Sequence, residues 1–163
     1  MHVRLARRSD AEPIRVIYNA EVVGSATATF DLVPRTPEEQ DRWLAEHRGP
    51  YPAVVAVDED EVVLGFGSLS AYRDRPSYAT TVENSVYVAA SHRGTGVGRS
   101  LLEELITLAN QHGFHSIIAR IGGDNVVSIA LHEACGFEPV GVEREIGRKF
   151  NRWLDVSVLQ RML

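Results

Sequence analysis

The chain has 163 residues, of which 44% are hydrophobic and 24% charged, with a formal net charge of −5. That length buries a core without staples, and the single cysteine, Cys135, excludes an internal disulfide. The acidic balance argues against a general field for nucleic acid or an anionic membrane, so any anion site has to be local.

The opening residues "MHVRLARRSD" lack an apolar run of signal-peptide length, and no segment approaches the ~20 apolar residues of a membrane span. The expectation is one domain over residues 1–163, soluble and cytoplasmic. "VRLA" (Val3 to Ala6) alternates and predicts an edge strand. "SDAEPIRVIYNAEV" predicts a helix, with Ser9 and Glu12 in capping-box spacing and Ile14, Ile17 and Tyr18 on one face. "TPEEQDRWLAEH" predicts a second helix, with Thr36 as N-cap, Pro37 at the first helical position and Glu39 as the reciprocal cap. Between them, "GSATATFDLVPR" (Gly24 to Arg35) is rich in small residues and has no helical period, a loop of functional length.

"AVVAVDEDEVVLGFGSLSAY" predicts a hairpin around an acidic turn at Asp58 to Glu61, and "ATTVENSVYVAA" a further strand. After the stretch "SHRGTGVGRS", a helical face runs through Val97, Leu101, Leu102, Leu105, Ile106, Leu108 and Ala109 to a stop at Gly113. "SIIARI" predicts a buried strand, "NVVSIALHEACGF" a helix stopped by Gly136, and "EPVGVEREI" and "RWLDVSVLQRML" two closing strands. The order β-α-α-β-β-β-α-β-α-β-β places the chain in the α/β (α+β) class, with a mixed, mostly antiparallel sheet flanked by helices.

The glycines of "SHRGTGVGRS" invite an anion. A P-loop is excluded, because Arg93 stands where its first glycine belongs and Arg99 where its lysine belongs. A dinucleotide fingerprint is excluded as well. Counting from Gly94 its sixth position is Arg99, and from Gly96 it is Leu101. What remains is Arg-x-x-Gly-x-Gly, met by Arg93, Gly96 and Gly98 at a strand-to-helix junction. Glycines let successive amides share one concavity, and the helix behind adds its positive end, which suits a pyrophosphate.

"VENSVYVAASHRGTGVGRSLLEEL" resembles the acetyl-CoA motif of the GNAT superfamily of N-acetyltransferases. The successive motifs "TVENSVYV", "HRGTGVG", "SIALHEACGF" and "GRKFNRWLDV" are similar in order and spacing to the phosphinothricin and methionine sulfone/sulfoximine acetyltransferase branch, over nearly the whole chain. The resemblance implies a GNAT fold and direct acetyl transfer from acetyl-CoA to a small-molecule amine, without a metal. It implies that Val86, Tyr87 and Val88 lie along the pantetheine arm. The loop from Arg93 through Gly94, Thr95, Gly96, Val97, Gly98 and Arg99 to Ser100 then takes the pyrophosphate, and Asn125 and Ser128 also touch the cofactor.

The chemistry needs a base, because a free α-amino group titrates near about 8 and is mostly protonated at neutral pH. The resemblance makes Glu83 that base. His132 stands in "LHEACGF" where many superfamily members carry a tyrosine that protonates the departing thiolate; it is either that acid or a hydrogen-bond partner of the acceptor. "HEACG" lacks the second histidine of a zinc motif. Cys135 is within helical reach of His132, which admits an acetyl-cysteine intermediate; a small buried hydrophobe is the preferred assignment. Arg73 and Arg75, in the loop before the strand of Glu83, are expected to hold an acceptor carboxylate with their forked donors. Phe30, Asn84, Ser85 and Tyr87 are expected to complete the acceptor pocket. Phosphinothricin-specific enzymes carry Lys-His-Gly-Gly-Trp-His-Asp where this chain has Lys149 to Asp155 as "KFNRWLD", which points toward the broader sulfone/sulfoximine activity. A peptide N-terminal acetyltransferase and a non-catalytic acyl-CoA-binding module are the alternatives. The resemblance also implies a homodimer.

Overall fold

A computed structural model describes residues 1–163. The chain runs β1 (His2–Leu5), α1 (Ala11–Gly24), α2 (Pro37–Glu46), β2 (Ala53–Val57), β3 (Val63–Ala71), β4 (Thr81–Val88), α3 (Val97–Gln111), β5 (Ser116–Gly122), α4 (Val126–Ala134), β6 (Glu138–Lys149) and β7 (Arg152–Met162). This is the expected element order, with three short 3-10 turns added. The seven strands form one sheet in the order β1-β2-β3-β4-β5-β7-β6. Every pairing is antiparallel except β4 with β5. Parallel neighbours need a crossover, and α3 supplies it.

The two faces of the sheet bury separate cores. Against one face, α3 packs Val97, Leu101, Leu102, Leu105 and Ala109 onto Val54, Leu69, Val82 and Ile117. Against the other, α1 sets Ile14, Ile17, Tyr18 and Val22 on Val55, Val57 and Phe66, with Leu44 of α2 beside them. Alternation along β4 follows this division: Val82 belongs to the α3 face and Tyr87 to the α1 face.

Local chemistry explains most boundaries. The Thr36 hydroxyl accepts the Glu39 amide at 3.2 Å, and the Glu39 carboxylate accepts the Thr36 amide at 2.8 Å, closing the expected capping box. The β2–β3 turn is tied by Asp58 Oδ1, which accepts the amides of Asp60 and Val62. The box expected from Ser9 and Glu12 does not form. Asp10 takes that end of the chain instead, accepting the Arg7 amide at 2.6 Å and two bonds from the Arg4 guanidinium at 2.7 and 3.0 Å. Glu12 turns outward to pair with Arg15.

Candidate active site

The functional feature of the sheet is the place where it comes apart. Strands β4 and β5 pair only between Thr81–Asn84 and Ser116–Ala119. Beyond that point β4 continues to Val88 beside β3, and β5 continues to Gly122 beside β7. The splay leaves one edge of β4 at Ser85–Val88 without a strand partner, so its amides and carbonyls are free to bind something else. It also opens a cleft of about 630 Å³, walled by residues 84–88 of β4 and 119–122 of β5.

At one end of the cleft lies the glycine loop. Gly94 and Gly96 have φ of 74° and 91°, the left-handed region that side chains resist. Gly96 is the N-cap of α3, and neither a side-chain cap nor a first-turn acid covers the amides behind it. A helix start leaves those N–H groups without intrahelical acceptors, and its dipole favours an anion there. Gly98 serves differently: a Cβ there would stand 3.2 Å from Leu131 Cδ2, so its absence lets α4 close on α3.

Of the residues expected to hold the cofactor, Val86, Tyr87, Val88, Arg93, Gly94, Asn125 and Ser128 line the cleft. The others border it. The Val97 side chain belongs to the core, so only its main chain is available. The Thr95 hydroxyl donates to the His92 carbonyl at 2.7 Å, and Arg99 pairs with Glu103 at 2.8 Å. The Ser100 amide donates to the Gly96 carbonyl within the helix. Arg93 is ion-paired with Glu21 of α1, a cleft residue the sequence did not single out.

His132 is buried and lines the cleft. Its Nδ1–H donates to the Ser128 carbonyl at 2.8 Å, so in the neutral ring Nε2 is an acceptor, and it takes the Asn84 amide at 2.9 Å. Burial pushes the imidazole below its usual range, against the Ser128 hydrogen bond, and favours this neutral form. The ring has no N–H to spare for a thiolate, a departure from the general-acid expectation. It holds Asn84 instead, whose Oδ1 is buried with no hydrogen-bond partner. Cys135 is buried and its thiol is pushed up, first by that burial, in keeping with a packing role.

Glu83, Ser85 and Tyr87 take the opposite face of β4 from Asn84. Burial pushes the half-buried Glu83 carboxyl above its ordinary value; the charge of Arg120 opposes the shift, Glu143 adds to it and Arg73 opposes it. Glu83 is not itself in the cleft wall, but its neighbours Asn84 and Ser85 are. The Tyr87 ring stacks on Phe66 at 5.0 Å and meets Tyr18 edge-on at 5.2 Å, so the aromatic body belongs to the α1-side core. Burial drives its phenol far above the usual range.

Phe30 is gripped by two glycines. A Cβ at Gly122 of β5 would lie 2.8 Å from Phe30 Cε1, and one at Gly147 of β6 would collide with the same ring. This wedge seats the small-residue loop, whose Ser25, Thr27 and Ala28 line the cleft. Arg73 and Arg75 are the clear departure from expectation. Both are exposed in the β3–β4 loop and neither lines the cleft; Arg73 lies over the Tyr72 ring at 5.1 Å.

Residues 3–158 match the family described as Acetyltransferase (GNAT) domain. The chain belongs to the GNAT acetyltransferases. Among GNAT relatives it is 40% identical to a phosphinothricin N-acetyltransferase of Streptomyces coelicolor, covering 100% of this chain and 96% of that one. It is 39% identical to an L-methionine sulfoximine/L-methionine sulfone acetyltransferase of Pseudomonas paraeruginosa, covering 97% and 92%. A GNAT phosphinothricin acetyltransferase from Sinorhizobium meliloti, solved in complex with AcCoA, superposes with a TM-score of 0.95 at 40% identity, covering 99% and 87%. The protein is therefore an N-acetyltransferase with the GNAT fold, as its motifs implied.

Proposed function

We propose that the protein acetylates the α-amino group of a small amino-acid analogue of the methionine sulfone, methionine sulfoximine or phosphinothricin type, with acetyl-CoA as donor. One observation carries the reading: the splay of β4 from β5 sets the glycine loop and a free strand edge along one cleft, with Glu83 next to the Asn84 end of its β4 wall. The amides of the loop and of the first turn of α3 suit a pyrophosphate. The free edge at Ser85–Val88 suits the amides of a pantetheine arm, with Asn125 and Ser128 at the start of α4 across from it.

Acetyl-CoA supplies an activated acetyl thioester. The chain's residues orient the acceptor and manage its protons. Glu83, whose carboxyl burial raises above its ordinary value, takes a proton from the acceptor's ammonium directly or through water. The neutral amine attacks the thioester carbonyl, the N–C bond forms as the C–S bond breaks, and the amine sheds its second proton to water. The sulfur takes its proton from water, because His132 is committed to Ser128 and Asn84. From outside the cleft, the charge of Arg73 favours the ionised Glu83. Acetylation removes the ammonium charge by which an analogue is recognised as an amino acid, which makes detoxification the natural use.

The working unit is a homodimer in the cytoplasm. Support for the dimer comes from the exposed apolar side chains of Val140, Val142, Ile146 and Trp153 along the β6–β7 ribbon at the sheet edge. Light scattering at micromolar concentration tests it.

Thiol release from acetyl-CoA with methionine sulfone, methionine sulfoximine, phosphinothricin, a peptide amine or no acceptor tests the activity. Turnover with the amino-acid analogues is expected. Turnover with the peptide alone overturns the acceptor assignment, and no turnover with any of them leaves an acyl-CoA-binding module.

A further inference from the structure

The apex of the splay is closed by a side-chain bridge. Asn84 and Ala119 form the last rung of the parallel β4–β5 ladder. Side chains alternate along a strand, so Asn84 and Ala119 share a face with Val82 and Ile117, which belong to the α3-side core. On that face the Asn84 side chain reaches across to α4 and donates through Nδ2 to His132 Nε2 at 2.9 Å. Both residues line the cleft, and both are buried, at 6% and 4% exposure. Ahead of the bridge, Val86, Ala119, Ile121 and Leu131 give the cleft apolar walls.

This bridge is held from behind. His132 donates to the Ser128 carbonyl at 2.8 Å, and its ring meets Phe137 edge-on at 5.0 Å. The bridge also has a cost. With Nδ2 on His132, Asn84 Oδ1 is a buried acceptor without a partner, which destabilises the fold. An apolar side chain of similar size would fill the place without that cost, so packing alone does not account for asparagine. What asparagine adds is the tie to α4, which keeps its amide from swinging out of the apex.

The donor runs toward this bridge. A pyrophosphate at the glycine loop lies past the C-terminal end of β4, so a pantetheine arm on the free edge passes from Val88 back to Ser85. Its thioester then arrives where the strands rejoin. We propose that the Asn84–His132 bridge is the end wall of the acyl subsite and makes the enzyme selective for acetyl over longer acyl groups. An acetyl methyl fits between the apolar walls. Each further methylene runs into a buried amide that is pinned in place and that hydrocarbon cannot hydrogen-bond. This inference rests on the donor placement proposed above.

Acyl selectivity is read by comparing acetyl-CoA, propionyl-CoA and butyryl-CoA with methionine sulfone as acceptor. A single methylene in an apolar pocket is discriminated by roughly 10- to 200-fold. Wild-type kcat/KM is expected to fall about 10-fold or more from acetyl-CoA to propionyl-CoA, and further with butyryl-CoA. Asn84→Ala removes the amide, and the propionyl-to-acetyl ratio of kcat/KM should rise by about 10-fold or more. Asn84→Ser, too short to reach His132, should raise it as well while staying polar. Because the readout is a ratio, a general loss of activity or stability cancels. Calorimetric titration without acceptor repeats the comparison free of turnover. Relative to CoA, butyryl-CoA should bind about 10-fold or more tightly to Asn84→Ala than to wild type. Unchanged ratios in both variants, or wild type that uses butyryl-CoA as well as acetyl-CoA, overturns the end wall and leaves the donor site standing. Failure of wild type to bind CoA overturns the donor placement and the wall with it. The expected binding pattern without acetylation of methionine sulfone would refute the acceptor class and leave the wall intact.

Discussion

Lys149, near the end of β6, donates through Nζ to the main-chain carbonyl of Thr29 at 2.9 Å, across 120 residues of sequence. The contact is buried, and burial pulls the ammonium below its usual range while Asp31 and Glu21 favour its charge. Thr29 precedes Phe30, so this bond and the Gly122–Gly147 wedge fix the same loop. A buried carbonyl left without its donor costs roughly 1–3 kcal/mol. Lys149→Met is expected to lower Tm and to raise the acceptor KM several-fold, with little change in the KM of acetyl-CoA. Steady-state kinetics against each substrate checks this split.

The glycine loop should show the reverse pattern. Gly96 has φ 91° with open space around its Cα, so a methyl group meets backbone strain and no clash. Gly96→Ala is expected to cost about 1–2 kcal/mol locally. It should also turn the first amides of α3 away from the anion, raising the KM of acetyl-CoA and leaving the acceptor's nearly unchanged. An equal rise in both would place the loop's effect elsewhere.

Glu83 couples catalysis to stability with a definite sign. Its folded-state pKa is raised, chiefly by burial. Across the interval above the unfolded value of about 4.3 the native state binds more protons, so stability falls as pH rises through the folded pKa. Glu83→Gln removes that cost. Its Tm should exceed wild type at pH 8, and the difference should vanish below about pH 4. The same variant should lose acetylation rate by at least 10²-fold near neutrality if the carboxylate is the base.

His132 has the opposite sign. Its folded-state pKa is lowered, chiefly by burial, so its contribution is complete above about 6.5 and is lost as pH falls through the folded value. His132→Gln should flatten the decline of Tm between pH 7 and 5, leaving the part due to His47, whose pKa burial also lowers. Because Nε2 serves Asn84, the variant should reduce kcat without abolishing the alkaline limb of the pH profile. Disappearance of that limb would restore the general-acid role.

Local patterns carried much of this protein in its sequence. The capping box of Thr36 and Glu39, the 3.6-residue face of α3, the acidic turn after Asp58 and the glycine spacing from Gly94 to Gly98 depend on neighbours along the chain, and all appear in the structure as read. The strand that carries Glu83 was legible for the same reason, whereas its assignment as the base came from the resemblance of "TVENSVYV". The remaining features depend on register between segments far apart. Sequence periodicity tells which side of its own backbone a residue takes, but says nothing of what stands opposite. Only the folded sheet decided that β4 and β5 part after Asn84 and Ala119, that Arg120 faces the cleft while Arg73 and Arg75 stay outside, and that Asn84 occupies the free nitrogen of His132. Likewise, nothing local in the sequence singles out Gly122 and Gly147; only the fold sets both against the ring of Phe30.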